Sequence, residues 1–429
     1  MGELAGIDPA HDRVRGWPRR FTVIGLFSLA TVLCYVDRVS ISVAIIPLAA
    51  EKHYDAAAQG LVLSAFFWGY LWPQLAGGWM ADRFGGKRVL ALGVAVWSAA
   101  TFLTPAASAS FATLLGARIV LGLGEGFNFP AIHSLASRWA PAAERARAIT
   151  LNFSGMFLGT VIAFLASPAI IVAFGWRALF YISGALGGVW LAAWIAKAAD
   201  RPETSPGVSA AELATIVAGR PAASPAGRVP WKLILREKGV WAIVLAHVCH
   251  NWGFNILLLW LPTYLDRIFG VPLPKVGGLA LIPWLVTFAA SNTGGWIADL
   301  LSARGLATGK VRKLVQSTAF ALGAFPLLAL PAARSAGIAI ALVAISAAGN
   351  SLGLAAFGVN HLDVGPRYAG VLMGISNTVA TIPGIVGVAA TGFVLQATGS
   401  FAAIFYLTAA VYLIGALGYL RWASGDQKL

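Results

Sequence analysis

The stretch Ala76 to Arg88 reads AGGWMADRFGGKR, and a weaker copy, TGGWIADLLSARG, runs from Thr293 to Gly305. Superposing Gly77-Gly78-Trp79 on Gly294-Gly295-Trp296 lays Asp82 on Asp299 at an offset of 217 residues, half of the 429-residue chain. Self-similarity at half length points to a duplicated unit whose two copies pack together. The surroundings of each copy decide the class. The chain is 58% hydrophobic and only 11% charged, too apolar for a water-soluble protein of this size. Windows of about 20 apolar residues, enough to cross roughly 30 Å of hydrocarbon, begin near Phe21, Gln59, Val89, Phe111, Ala146, Ala178, Gly239, Lys275, Val311, Gly337, Tyr368 and Phe401. Each motif copy follows the second window of a group of six. The expected fold is therefore an all-α membrane protein, with twelve transmembrane helices in two parallel-repeat six-helix bundles.

The longest break in hydropathy, from Asp200 to Gly239, is polar and rich in proline, with a short surface helix expected near Ser209 to Ala218. It divides the chain into an amino-terminal arm (1–20), a first bundle (21–198), a linker (199–238), a second bundle (239–423) and a tail (424–429). The formal charge of +14 invites a nucleic-acid reading, but its distribution speaks for orientation. With the amino terminus in the cytoplasm, the outer loops hold only Lys52, Arg177, Arg267, Lys275 and Arg334, and 24 of the 31 basic residues fall on the inner side. Both termini are then cytoplasmic, and nucleic acid is not an expected partner. Cys34 and Cys249 lie inside apolar spans, where neither a disulfide nor a metal is expected. The arm lacks a cleavable signal and carries Glu3, Asp8 and Asp12, unlike a transit peptide. Direct insertion into a plasma (bacterial inner) membrane is the simpler expectation, or an organelle membrane in a eukaryote.

Four charges sit well inside spans: Asp37 and Arg38 in CYVDRVSISVAI, and Arg118 and Glu125 in ARIVLGLGEGFNFP. A charge near the bilayer centre costs at least about 2.5–3.5 kcal/mol, so each needs a polar cavity and a partner. Asp37 and Arg38 are adjacent, roughly 100° apart around a helix, and make poor partners for each other. Arg118 and Glu125, seven residues apart, share a stripe about 10 Å long. Gly122, Gly124 and Gly126 permit close helix approach and are expected to pack span four against span one. Arg38 is then within reach of Glu125, or of an anion held between Arg38 and Arg118. The four charges sum to zero in an empty site. A monoanion entering with one proton on a carboxylate keeps the sum at zero, which points to proton-coupled symport.

The run Gly78, Asp82, Arg83, Gly85, Lys87 and Arg88 between spans two and three resembles the signature of the major facilitator superfamily. The resemblance covers the whole chain and implies that this loop is a gate element on the inner side. In the second copy the neighbouring Arg becomes Leu300, which puts a symmetric role for Asp299 in doubt. RWAPAAERARA (Arg138 to Ala148, holding Arg145), SAFFWGY (Ser64 to Tyr70) and NHLDVGPRYAGVLMGISNTVATIPGIVG (Asn360 to Gly387) resemble the anion:cation symporter branch. That branch includes sialin, vesicular glutamate transporters, type I sodium/phosphate cotransporters and bacterial sugar-acid symporters. HVCHNWGFNILLLWLPTYL (His247 to Leu265) is similar to plant plastid phosphate and ascorbate transporters. By resemblance to the bacterial members, Asp37 and Glu125 carry protons and Arg38 meets a substrate carboxylate. The vesicular members lack the Asp and carry an arginine where His250 stands.

Around those charges, Tyr70 and Gln74 share a face of span two, and Ser376 and Asn377 occupy span eleven, where Asn377 resembles a substrate-contacting position. Both pairs are read as cavity groups or as helix-to-helix hydrogen bonds. The Pro383-Gly384 pair is a place for that helix to break or kink. His250, Asn251 and Trp252 complete the expected substrate-binding set. His247 and His250 face one side, but no third metal ligand accompanies them. His133 is placed near the inner mouth. His361, Asp363 and Arg367 are read as an inner gate network or as topology signals.

The expected function is secondary active transport of a small organic or inorganic anion, such as a sugar acid, another carboxylate or phosphate. Protons drive it, with no cofactor, and a monomer in membrane lipid suffices. A sodium-coupled phosphate or anion transporter is the alternative, and a non-transporting receptor on the same scaffold a further one. No P-loop, nucleophile motif or metal set points to an enzyme.

Overall fold

The computed structural model describes residues 17–141, 143–218 and 229–429. The stretch holding Glu3, Asp8 and Asp12 and the centre of the linker lie outside the described residues. The first half of the chain forms α1 (Arg19–Lys52), α2 (Ala56–Phe84), α3 (Gly86–Ala107), α4 (Phe111–Glu125), α5 (Asn128–Trp139), α6 (Arg145–Phe174) and α7 (Trp176–Lys197). Two short helices follow, α8 (Ala210–Val217) and α9 (Trp231–Arg236). The second half forms α10 (Lys238–Phe269), α11 (Leu273–Ala303), α12 (Thr308–Ala329), α13 (Ala336–Leu352), α14 (Phe357–Val364), α15 (Ala369–Val379), α16 (Ile382–Thr398) and α17 (Ala402–Trp422).

These bounds follow from capping chemistry as well as hydropathy. Asp55 accepts the Ala58 amide at 2.8 Å, Ser110 that of Thr113 at 3.2 Å and Ser335 that of Ile338 at 3.3 Å. Each satisfies a first-turn amide that no helical carbonyl reaches. Among the described residues, ten helices or joined helix pairs are long and apolar enough to cross a membrane. α2 and the pair α4–α5 pack among them, so ten to twelve segments cross. Among the described residues three crossing segments are broken in the middle. One breaks at Gly126-Phe127, between α4 and α5; one at the 3₁₀ turn Gly353–Ala355, between α13 and α14; and one at Ala380-Thr381, where Pro383 falls in the first turn of α16 and lacks an amide to continue the ladder.

Within the first half α1 lies along α6 and α7, and α3 along α4 and α7; within the second, α13 lies along α11 and α12, and α17 along α12 and α10. The halves meet along three seams, α2 with α16, α6 with α11 and α1 with α10. The seams are tightest on the side away from the linker. There a Cβ on Gly60 would meet Ala389 O at 3.0 Å, and one on Gly277 would meet Phe164 O at 1.9 Å. Toward the linker side the α6–α11 seam carries Phe157 against Phe288, with ring centroids 5.2 Å apart. Beyond it Arg147, Thr150, Leu151 and Ser154 of α6 line a shallow, open surface depression. The halves are thus in close backbone contact on the side away from the linker.

The linker helix forms where expected but is not a free surface element. Ser209 caps α8 through the Glu212 amide, and Glu212 itself is buried beneath the start of α1. Its carboxylate accepts the backbone amides of Arg19 at 3.1 Å and Arg20 at 2.9 Å, acting as an N-cap for α1 from a distant part of the chain. α9 belongs to the other half, its Ile234 packing with Val240 and Val364.

Candidate functional site

The four intramembrane charges come together in the first half, all under 10% exposed. Arg38 donates from Nε at 3.2 Å and Nη2 at 3.0 Å to a single oxygen, Glu125 Oε2. The Cys34 thiol donates to the same oxygen at 3.1 Å. The Arg38 guanidinium lies 4.7 Å from each of the Tyr35, Phe66 and Tyr70 ring centroids, an aromatic cage that offers a desolvated cation three negative faces. Asp37 lies near enough to Glu125, to Thr101 of α3 and to Arg118 to feel all three. Arg118 is 1% exposed, lies 5.7 Å from the Phe66 ring, and leaves Nε and Nη1 without a hydrogen-bond partner. Glu125 Oε1 is likewise unpartnered. A desolvated guanidinium with two spare donors is a place for an anion or for water.

The glycine run of α4 does not pack on α1 as expected. A Cβ on Gly122 would strike Phe66 O at 1.9 Å, one on Gly126 would meet Pro73, and one on Gly124 would strike the Trp97 amide at 2.7 Å. Residues four apart share one helix face, here turned to α2, while Gly124 faces α3. Glu125, between those faces, is what reaches α1.

The second half offers no matching charge. His250 stacks on Phe254 with ring centroids 6.0 Å apart and lies 5.4 Å from the Phe357 ring, its Nδ1 unpartnered. Asn251 donates to Ala380 O at 2.8 Å and so caps the break between α15 and α16. Trp252 lies against Gly387, with its indole N–H unpartnered. Asn377 donates to Gln74 Oε1 at 2.8 Å, tying α15 to α2 across the two halves. Gln74 and Asn377 are therefore a contact between helices, while Tyr70 is part of the cage under Arg38. Gly384 is required for packing as well as for the break, since a Cβ there would lie 2.4 Å from the Phe67 ring. Sequence reading missed a buried set next to these residues. Ser376 Oγ lies 2.9 Å from His361 Nε2 and 3.3 Å from His247 Nδ1.

On the linker side the signature loop joins residues that the motif does not contain. Asp82 accepts from Ser134 Oγ at 3.0 Å and lies 4.0 Å from Arg138. Arg138 is paired with Asp200, whose carboxylate also accepts the Lys87 amide at 3.1 Å. Arg83 stands over Trp79, Arg88 is exposed, and Arg145 donates to Ser137 O at 3.3 Å. His133 bonds Phe129 O of its own helix at 2.8 Å. Asp299 is exposed, without an ion pair among the described residues. Asp363 does not pair with Arg367: Arg312 of α12 takes it, at 2.7 Å, and also donates to Ala355 O. Arg367 stands on the 3₁₀ turn after α14 and reaches only the neighbouring Tyr368 ring, at 5.8 Å. The chain also places Arg20 between Glu144 at 3.0 Å and Glu212 at 3.5 Å, a cluster that no motif signalled.

A duplicated helical membrane protein with buried charge in one half and a seam of helix contacts in the middle is the architecture of a transporter. Residues 27–388 match the model of the Major Facilitator Superfamily, and the chain belongs to that family, one of transporters rather than enzymes. It is 42% identical to a rice (Oryza sativa subsp. japonica) protein named probable anion transporter 4, chloroplastic, over 96% of this chain and 70% of that protein. Identity is also 42% to an Arabidopsis thaliana ascorbate transporter, chloroplastic, over 96% and 76% of the two chains. The Arabidopsis sodium-dependent phosphate transport protein 1, chloroplastic, is 41% identical over 96% and 80%. Among solved structures, the fold matches a bacterial homolog of the human lysosomal transporter Spinster, inward-facing and unoccupied (TM-score 0.75, 18% identity, 95% and 99% of the two chains). It also matches a D-xylose–proton symporter (TM-score 0.75, 13% identity, the same coverage).

Proposed function

We propose that this chain is a secondary active transporter that carries a small anion together with protons by alternating access. The observation that carries the reading is the buried charge centre: a caged Arg38–Glu125 pair beside Arg118, whose Nε and Nη1 make no hydrogen bond. Arg38 and Arg118 receive the anion, and Asp37 and Glu125 take up protons, so that cargo and proton together leave no net buried charge. Tyr70, His250, Asn251, Trp252, Ser376 and Asn377 border the path, with Gln74–Asn377 as a contact that parts when the halves rock. Asp82, Arg83, Arg88, Arg145, Asp299, Asp363 and Arg367 act at the linker-side gate, there joined by Ser134, Arg138, Asp200 and Arg312.

The linker side is read as cytoplasmic because basic residues concentrate there. Twelve helices then divide as a first bundle, 21–198, and a second, 239–423, in a plasma, bacterial inner or organelle membrane. The names of the relatives favour ascorbate or phosphate as cargo, and the sodium-dependent phosphate relative favours sodium coupling as the second reading. One panel separates these. Purified protein in liposomes is offered labelled phosphate, ascorbate, gluconate, glucuronate and glutamate under an imposed proton or sodium gradient. Accumulation under the proton gradient alone supports the reading; accumulation only with sodium replaces protons by sodium; none under either gradient ends the transport reading.

A further inference from the structure

Outside the charge centre, the buried serine of α15, Ser376, stands between two imidazoles. His361 is 2% exposed and Ser376 fully buried. The His361 Nδ1 lies 3.2 Å from Gly358 O, which can only accept, so Nδ1 carries a hydrogen. A neutral His361 therefore presents a lone pair on Nε2, and Ser376 Oγ, 2.9 Å away, donates to it. His247 Nδ1, 3.3 Å away on the other side, donates to the serine oxygen. A second acceptor waits for the same hydroxyl: Met373 O, at 3.1 Å in its own helix. If Nε2 gains a proton, it becomes a donor to Ser376 Oγ, the hydroxyl swings to Met373 O, and His247 keeps its place. Both proton occupancies are fully hydrogen-bonded, and the change between them is one hydroxyl rotation.

The neighbourhood leaves that proton uncompensated. On α10 the other titratable group facing the set is His250. α12 and α14 carry Lys310, Arg312, Lys313 and Asp363, of which Arg312 and Asp363 pair with each other at 2.7 Å, and α17 adds Tyr419 beside that pair. α15 itself contributes no charge. A protonated His361 is thus a buried, unpaired cation, favoured only when water reaches it. Asn377, the next residue, holds Gln74 of the other half at 2.8 Å.

We propose that His361, Ser376 and His247 form a second proton-binding site, in the second half, whose protonation loosens α15 and releases the Gln74–Asn377 contact between the halves. It rests on the transport reading for its purpose, but not for its test. Gly374, one turn before Asn377, is exposed and a side chain there meets nothing within 4 Å, whereas both native cysteines are buried. The full chain carrying Gly374→Cys is alkylated in lipid nanodiscs at pH values between about 5 and 8, where an ordinary histidine titrates. The rate is compared at each pH with the same protein carrying His361→Gln, which keeps the hydrogen bonds but cannot titrate. The ratio cancels the thiol's own ionisation. It is expected to rise several-fold on acidification; a flat ratio overturns the proposal. Should His361→Gln fail to assemble, Ser376→Ala, which cuts the link between the imidazoles and α15, must give the same divergence. The readout needs no cargo, so failure of the anion panel and failure of this site are seen separately.

Discussion

The two halves repeat one pattern of helix contacts, α2 on α4 as α11 on α13 and α3 on α7 as α12 on α17, yet they solve the problem of a polar centre in opposite ways. The first buries a network of full charges: Arg38 on Glu125, with Asp37 and Arg118 beside them. The second buries neutral groups, His250 between aromatic rings, Asn251 on a broken helix and the His247–Ser376–His361 set. A charged centre is costly unless each member is paired, so it holds its partners in a few fixed states. A neutral network of imidazoles and hydroxyls rearranges at low cost. On the proposed function, the first half would recognise the charged guest and the second would report a proton.

The strongest attack on that contrast is Arg38→Met, which strands the buried Glu125 carboxylate. A cost of about 3–5 kcal/mol is expected from breaking a buried pair, read as a lower unfolding temperature in detergent. Restoring apolar balance with Arg38→Met/Glu125→Leu recovers much of that stability while uptake stays absent. The corresponding change in the second half, His250→Phe, keeps volume and aromatic packing, and less than about 1.5 kcal/mol is expected. If both halves respond alike, the contrast fails.

Within the first half, α4 tests how tightly the charge centre is clamped. Gly122→Ala forces a Cβ onto Phe66 O and is expected to cost about 1–3 kcal/mol or more. Gly116→Ala in the same helix meets open space and is expected to gain a few tenths of a kcal/mol from helix propensity. Arg118→Lys keeps the charge but loses the planar fork. It is expected to raise KM for the anion about tenfold, equivalent to about 1.4 kcal/mol, with assembly intact by size-exclusion chromatography. A further pair of changes lies on the linker side. Arg312→Ala removes a half-buried bond to Asp363 and is expected to cost about 1–2 kcal/mol, while Asp299→Asn is expected to stay within about 0.5 kcal/mol. An equal loss of unfolding temperature in the two variants would show that Asp299 is held by a partner as Asp363 is.

Much of this architecture is legible without coordinates. Every crossing helix begins within three residues of its hydropathy window, because the length and apolarity that lipid demands are local properties. The short helix near Ser209 was readable from its cap for the same reason. Less legible were helix faces. Glycines at Gly122, Gly124 and Gly126 announced close approach but not to which neighbour, since that depends on the rotation of α4 about its axis. Asp363 looked to Arg367, close in sequence, whereas its partner is Arg312, 51 residues away. Asp200 and Glu212 lay in a stretch that composition marks as linker, and nothing local tells that they hold Arg138 and the start of α1.

Composition and spacing alone establish a polytopic, duplicated membrane protein with four charges in the wrong solvent, because the bilayer penalises each such residue whatever its neighbours are. Which residues answer that penalty was settled only by assembly. Arg38 meets Glu125 across 87 residues, His247 meets Ser376 across 129, and Gln74 meets Asn377 across 303. Those distances along the chain are closed by helix rotations and crossings that arise from the packing of all the spans together, and no single span encodes them.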